Sequence, residues 1–512
     1  MRRLGLTTLF GNPGSTELPM FRGFPADFRY VLGLQEAVVV GMADGYAQAT
    51  RNAALVNLHS AAGVGNAMGA IFTASRNQTP LVITAGQQAR SLLAHEAFLS
   101  SPQAPELTKP HVKWSVEPAR AEDVPQAIAR AYFLAMAPPR GPVFVSIPAD
   151  DWDRPAGALL PERVVSSRLG ADSSSLTLVA QKLSASRQPA FVIGSGVDRD
   201  GAWDDVVALA ERHRARVFSA ALAGRYGFPQ DHPLFAGFLP AKREGVVEAL
   251  AGHDLIVVLG GPAFTYHMEG SGPHIPEGCE LCQIVDDANM ASWTPVGTSV
   301  IAGLKASLQY LLVHSVPSPR EAPAPRARAP RVSSSEPMSA AWVFQALADL
   351  RDPTSVVVEE APSSRESMQA HLPVVRSGGF YAMDSGGLGF AMPAAVGIAL
   401  GDATRKVICV VGDGSSMYSF QALWTAAQWR LPITFLVLNN GGYAAVRRFA
   451  SKFGFAPEER VPGSELPGLD FVHLAQGVGC RATKARTGAE LVAALRSSLK
   501  AAEPTLVEVH IE

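Results

Sequence analysis

Val407-Ile408-Cys409-Val410-Val411-Gly412-Asp413-Gly414-Ser415-Ser416 runs from an unbroken apolar stretch into an aspartate set between glycines, and a helical pattern follows over 422–427. The next apolar stretch, 433–438, ends in Asn439-Asn440-Gly441-Gly442-Tyr443. Strand, helix and strand in that order predict two parallel neighbours whose carboxyl ends lie side by side. Continuous rather than alternating apolar residues predict a sheet covered on both faces. The same pattern recurs at 54–58, 81–84 and 143–147, at 190–193 and 255–259, and at 355–358 and 505–510. The fold class is therefore α/β, built as three doubly wound parallel-sheet domains.

The chain has 512 residues, and at about 150 residues per domain that length also suggests three. Two stretches read as linkers. Residues 153–172 carry Asp153, Pro155, Gly157 and Pro161 with little periodicity. Residues 316–335 carry Pro317, Pro319, Pro323, Pro325 and Pro330, which keep no backbone ladder and predict an extended surface run. The domains are then 1–152, 173–315 and 336–512. Hydrophobic residues make up 47% and charged residues 18%, which excludes disorder as the main state. A formal charge of −2 offers neither a nucleic-acid surface nor an acidic tail.

Four cysteines exclude a disulfide scaffold. Cys279 and Cys282 have the spacing of half a zinc site, but two buried thiols at the start of a strand is the ordinary reading. No apolar run reaches about 18 residues, so no membrane span is expected. Met1-Arg2-Arg3 leads on without an apolar signal core, and a cytoplasmic location follows as the expectation.

Ligands of such sheets lie beyond the carboxyl ends of the strands. Gly412 and Gly414 let backbone approach a phosphate, and Asp413 would hold a divalent cation such as Mg²⁺ against it. Alone, Gly-Asp-Gly reads at least as well as a plain turn. The amide and carbonyl oxygens that follow the next strand could complete a metal site. In the first domain a strand over 30–34 is followed by Gln35-Glu36 and a helix over 37–47. A glutamate at that buried junction is costly unless it is protonated or partnered. It reads equally as a carboxylate at a helix start.

Gly-Asp-Gly followed, one helix and one strand later, by Asn-Asn resembles the signature of thiamin diphosphate-dependent enzymes. Phe10-Gly11-Asn12-Pro13-Gly14-Ser15, Leu34-Gln35-Glu36-Ala37 and Leu58-His59-Ser60-Ala61-Ala62-Gly63 resemble the benzoylformate decarboxylase family of 2-oxo acid decarboxylases. So do Thr84-Ala85-Gly86-Gln87-Gln88, Asp150-Asp151-Trp152-Asp153 and Leu423-Trp424-Thr425-Ala426-Ala427. The likeness spans nearly the whole chain and is weakest in the middle domain and the Pro-rich linker.

The resemblance implies thiamin diphosphate with Mg²⁺, for which Ca²⁺ or another divalent cation can substitute. The metal ligands would be Asp413, the Asn440 side chain and the Gly442 carbonyl. Gly412, Gly414, Ser415, Tyr443 and the Gly386 carbonyl would contact the cofactor, with Leu388 beneath it. Glu36 would be the acid that activates the aminopyrimidine. Ser15 would donate to the substrate carboxylate, although it also reads as a helix cap. His59 would relay protons, and His267, which rests on the resemblance, would be a second active-site histidine. Phe98, Leu99, Leu388, Ala445 and Phe449 would wall an aryl pocket, and each also reads as ordinary core.

The implied reaction is non-oxidative decarboxylation of a small-molecule aryl 2-oxo acid, benzoylformate to benzaldehyde and CO₂, with carboligation as a side activity. The family solution places the cofactor between two subunits, so a dimer is the minimum and a tetramer the expectation, with no nucleic-acid or membrane partner. Alternatives are another 2-oxo acid decarboxylase, an acetolactate synthase-like ligase, a non-catalytic homologue, or an oxidoreductase using Gly194-Ser195-Gly196.

Four features depart from the family pattern. Asp384 replaces a small residue, either facing solvent or altering substrate choice. Glu360-Ala361-Pro362-Ser363 departs from the hydroxyl-rich family segment beside the diphosphate. Gly442 replaces a hydroxyl residue and should hold the metal loop less firmly. The chain starts near what reads as a helix end, with Gly5 at C′, and so is expected to be short at its N-terminus.

Overall fold

The computed structural model describes residues 1–157, 161–317, 319–456 and 459–512. Residues 158–160 of the first expected linker and 318 of the second lie outside the described residues. By its contacts the chain forms two compact units, Met1–Val165 with Arg331–Leu372 and Ser385–Glu512, and Ser166–Pro330 with Pro373–Asp384.

Among the described residues three parallel sheets carry the fold. In the first unit one sheet runs Arg29–Leu32, Thr8–Gly11, Ala54–Leu58, Leu81–Gln87, Val143–Pro148, Ser115–Val116, parallel throughout. Another runs Val356–Glu360, Val407–Gly412, Ile433–Asn439, Thr505–His510, Arg481–Ala485 within that unit, also parallel. The interior strands, such as Ala54–Leu58 and Val407–Gly412, are rich in Val, Ile and Leu and buried along most of their length, as expected where helices cover both faces.

The two sheets are tied by a pair of helices. Glu36–Thr50 packs against Ala391–Gly401, whose residues are buried from Ala391 to Ala399. The helices meet backbone to backbone, since a Cβ on Gly45 would collide with the Ala394 carbonyl. Each of these helices starts at a candidate site element, so their packing ties both elements into one compact unit.

The second unit holds the sheet Thr298–Ile301, Glu280–Val285, Leu255–Leu259, Pro189–Ile193, Arg216–Ser219, Phe235–Phe238. Its core is aliphatic around Phe191, Val257 and Ile284. The Pro-rich stretch lies on this unit, with Arg320 donating to the His213 and Ser186 carbonyls at 2.8 and 2.6 Å. Asp198 gathers Arg225 at 2.7 Å, the Ser377 hydroxyl at 2.6 Å and Gly378 N at 2.8 Å. These bonds dock the segment Pro373–Asp384.

At the chain start a 3-10 turn, Arg2–Leu4, ends in Gly5 with φ 71°, as its C′ reading requires. All four cysteines are free and buried. No helix among the described residues is long and apolar enough to cross a membrane.

Candidate active site

The carboxyl ends of the first sheet carry one cluster. Thr8–Gly11 ends at Asn12, Arg29–Leu32 leads to Glu36, and Ala54–Leu58 ends at His59. Glu36 is the first residue of its helix and is buried, while Gln35 supplies the N-cap by accepting from Val38 N at 3.1 Å. Its carboxyl oxygens accept from Asn12 Nδ2 and Asn66 Nδ2, each at 3.2 Å. No Lys or Arg faces it among the described residues, so the carboxyl group is held by neutral donors. Glu36 thus stands in the first turn of its helix, one residue past the N-cap.

His59 stands beside Glu36 in the same cluster. Its Nδ1 lies 2.7 Å from Glu17 Oε2 and 3.1 Å from Thr16 Oγ1. Ser60, which follows it, has φ 43° without being glycine, and such strain concentrates at functional sites. Ser15 opens the 3-10 turn Ser15–Glu17 and is exposed, and Gly14 rather than Ser15 is its N-cap. Glu17 was not singled out in the sequence. The signal was its place three residues after Gly14, whose N–H it accepts at 2.9 Å, the spacing of a capping box.

The second cluster lies at the ends of Val407–Gly412 and Ile433–Asn439, which pair in register up to Gly412 and Leu438. Asp413 is buried and accepts from Gly414 N at 2.6 Å, Gly442 N at 2.9 Å and Asn440 N at 3.1 Å. Burial is the strongest influence and pushes its carboxyl above the ordinary value in spite of those donors. Beside it, Asn440 Oδ1 is buried with no partner among the described residues. A buried acid next to an orphaned amide oxygen fits a hard divalent cation. The Gly442 carbonyl accepts from Ala444 N at 2.9 Å, which leaves it a second lone pair.

Backbone hydrogen bonds flank Gly442 on both sides. Tyr443 N donates to the Ser464 carbonyl at 2.8 Å, and Leu466 N to the Gly441 carbonyl at 3.0 Å. A backbone bridge also pairs Gly442 with Glu465.

Gly386 has φ 74° and its neighbour Leu388 is half-buried. Immediately after them, Gly389 N, Phe390 N and Ala391 N donate to Glu360 at 2.6, 2.7 and 2.7 Å. Burial pushes the Glu360 carboxyl up to about 7, against the pull of these three N–H groups.

Of the expected pocket residues, Phe98 is 86% exposed on the single chain, so no pocket encloses it there. Leu99 has φ 66°, and Ala445 and Phe449 lie half-buried on the helix Ala444–Ala450. His267 lies in the second unit, exposed, its N–H donating to the Ala241 carbonyl at 2.9 Å. Asp384 also belongs there and is partly buried. It accepts from Gly224 N at 2.6 Å and from Ser195 Oγ at 3.5 Å. The N–H groups of Gly194 and Gly196 are taken by the Leu259 and Gly260 carbonyls, which leaves no glycine cradle for a dinucleotide.

Comparison with known proteins agrees along the chain. Residues 1–105 match the thiamine pyrophosphate enzyme N-terminal TPP binding domain, 176–311 the central domain and 363–509 the C-terminal TPP binding domain. Benzoylformate decarboxylase of Pseudomonas aeruginosa is 44% identical over 513 residues, covering 99% of this chain and 97% of that protein. This chain belongs to the benzoylformate decarboxylase family of thiamine pyrophosphate enzymes.

Solved members of the benzoylformate decarboxylase family share the fold. The crystal structure of benzoylformate decarboxylase from Polynucleobacter necessarius matches with TM-score 0.97 at 41% identity, over all of this chain and 96% of that one. The 4-hydroxybenzoylformate decarboxylase of Rhodococcus jostii RHA1 matches with TM-score 0.96 at 42% identity, over all of this chain and 97% of that one. Acetolactate synthases are more distant, the large subunit from Parasynechococcus marenigrum being 26% identical over 544 residues.

Proposed function

We propose that the chain decarboxylates aryl 2-oxo acids, benzoylformate foremost, to an aldehyde and CO₂, with aldehyde carboligation as a side activity. The observation that carries this reading is the orphaned Asn440 Oδ1 beside the buried Asp413 carboxyl group, a donor set that suits Mg²⁺ bound to a diphosphate. Asp413, Asn440 and the Gly442 carbonyl would hold the cation, and Gly412, Gly414, Ser415 and Tyr443 the diphosphate side. Gly386 and Leu388 would support the ring end.

When bound, thiamin diphosphate supplies a carbon nucleophile for the keto group and takes up the electron pair released with CO₂. Glu36 is suited to hold a proton beside the pyrimidine, since neutral amides alone bond its oxygens. Ser15, exposed at the start of its turn, donates to the substrate carboxylate. His59 keeps Nδ1 against Glu17 and so presents Nε2 for moving a proton. His267 is the second proton carrier, and Phe98, Leu99, Ala445 and Phe449 receive the aryl ring.

A second copy of the chain completes the site. Phe98, Val446 and Phe453 are 86%, 50% and 74% exposed, an apolar set next to the site elements that a partner would cover. A dimer is the working unit and a tetramer pairs two of them. Four buried free thiols accord with a cytoplasmic location. The test is CO₂ and aldehyde release from benzoylformate, 4-hydroxybenzoylformate and aliphatic 2-oxo acids, with and without thiamin diphosphate and Mg²⁺. Turnover confined to aliphatic acids, or independent of the cofactor, would overturn the reading.

A further inference from the structure

We infer that Glu360 is a positioning residue, whose carboxylate sets the turn that presents Leu388 to the cofactor. This inference rests on the role proposed above for Leu388. Glu360 ends the strand Val356–Glu360 and is buried. Both of its oxygens are spent on the three residues that follow Leu388, accepting from Gly389 N at 2.6 Å and from Phe390 N and Ala391 N at 2.7 Å.

The arrangement differs from an ordinary helix cap. Helix Ala391–Gly401 has Phe390 at its N-cap and no capping side chain of its own. Its free N–H groups would normally be met by a local Ser, Thr, Asp or Asn. Here the acceptor comes from a different strand, and it reaches back as far as Gly389, whose φ is 103°. The bonds therefore fix the residue directly after Leu388 as well as the helix start.

Glu360 is also placed to join two parts of the site. Its strand pairs with Val407–Gly412, Glu360 standing opposite Val411, two residues before Asp413. One residue thus fixes the Leu388 turn relative to the strand that carries the metal ligand. The segment 360–363 departs from the hydroxyl-rich family pattern, and in the structure the Glu360 side chain is taken up by the start of the helix Ala391–Gly401.

The experiment compares the holoenzyme with Glu360→Gln, Leu388→Ala and the double variant. The readouts are hydrogen–deuterium exchange at the acidic thiazolium carbon of bound thiamin diphosphate, cofactor affinity by calorimetry, and the melting temperature. Glutamine keeps the size but loses the charge and one acceptor. We expect exchange to slow on the order of tenfold in Glu360→Gln, with cofactor affinity changed less than about threefold. The double variant should be no slower than Leu388→Ala, because both changes remove the same support.

Unchanged exchange in Glu360→Gln, or additive slowing in the double variant, would overturn the inference while leaving the decarboxylase reading intact. A wild-type chain that exchanges no faster than free cofactor would overturn both. If Glu360→Gln does not fold, Glu360→Asp keeps the charge but is one methylene too short to reach all three N–H groups, and the same slowing is expected. Failure of both variants to fold would reduce Glu360 to a fold determinant and overturn the inference.

Discussion

Glu17 Oε2 lies 2.7 Å from His59 Nδ1, and every other acceptor position of that carboxylate is filled. Gly14 N bonds the same oxygen at 2.9 Å, while Thr16 Oγ1 and Gly86 N bond Oε1 at 2.7 and 3.1 Å. A carboxylate so fixed can only accept from the imidazole, which places the hydrogen on Nδ1 and leaves Nε2 as the nitrogen that exchanges protons. Glu17→Gln should therefore impair proton movement without disturbing binding. The expected outcome is a kcat for benzoylformate reduced on the order of 10- to 100-fold at nearly constant KM. The double variant with His59→Ala should be no slower than His59→Ala alone. A rise in KM at constant kcat would instead make Glu17 part of the binding surface.

What could be read in the sequence followed burial. Ala54–Leu58, Leu255–Leu259 and Thr505–His510 match their apolar runs because they are central strands covered on both faces. Arg481–Ala485 gave no such signal, since it is an edge strand with Arg481, Thr483 and Lys484 exposed. The Asp413 and Asn440 pair was legible because one helix and one strand fix the interval between neighbouring strand ends. Glu17 was not, because its meaning depends on His59, 42 residues away, and on Gly86, 69 residues away. The hydrogen bonds of Asp384 were not legible for the same reason, its partners lying 160 and 189 residues off.

Gly442 makes a prediction that runs against the family pattern. A Cβ at this position would collide with the Ser464 carbonyl, and φ is 157°. Gly442→Thr, which restores a hydroxyl residue, should break the bridge to Glu465 and loosen the metal loop. Cofactor affinity at fixed Mg²⁺ is expected to fall by roughly tenfold, the cost of a strained or overpacked position. Calorimetric titration with thiamin diphosphate measures it, and equal or tighter binding would show that the bridge is dispensable.

Asp413 and Asn440 should be coupled to stability through the bound cation. A ligand at 100 times its Kd stabilises by about 2.7 kcal/mol, which raises the melting temperature of a unit of this size by several degrees. Thiamin diphosphate with Mg²⁺ should produce that rise in the wild-type chain, and a chelator should remove it. Asp413→Asn and Asn440→Ala should melt normally without ligand but show no rise. A full rise in either variant would exclude that side chain as a ligand.

His213 should make the second unit sensitive to mild acid. It ends the helix Trp203–His213, fully buried, with Nε2 2.7 Å from Ser315 Oγ. That hydroxyl already donates to the Leu311 carbonyl at 2.6 Å, so Nε2 carries the ring hydrogen and donates to it. Nδ1 is buried with no partner among the described residues, and a second proton there would have nothing to bond. Burial first, and then Arg320 and Arg212, push the imidazole down to about 4 from its ordinary 6.5. Between those values the unfolded chain binds a proton that the folded unit does not, so stability falls as pH drops from 6.5 to 4. Above 6.5 the histidine contributes no slope, and below 4 the loss is complete. His213→Gln, which keeps a donor for Ser315, should melt lower at pH 7 but decline less over that window. Calorimetric melting of the full chain between pH 7 and 4 measures the difference, and an unchanged slope would remove His213 as its source.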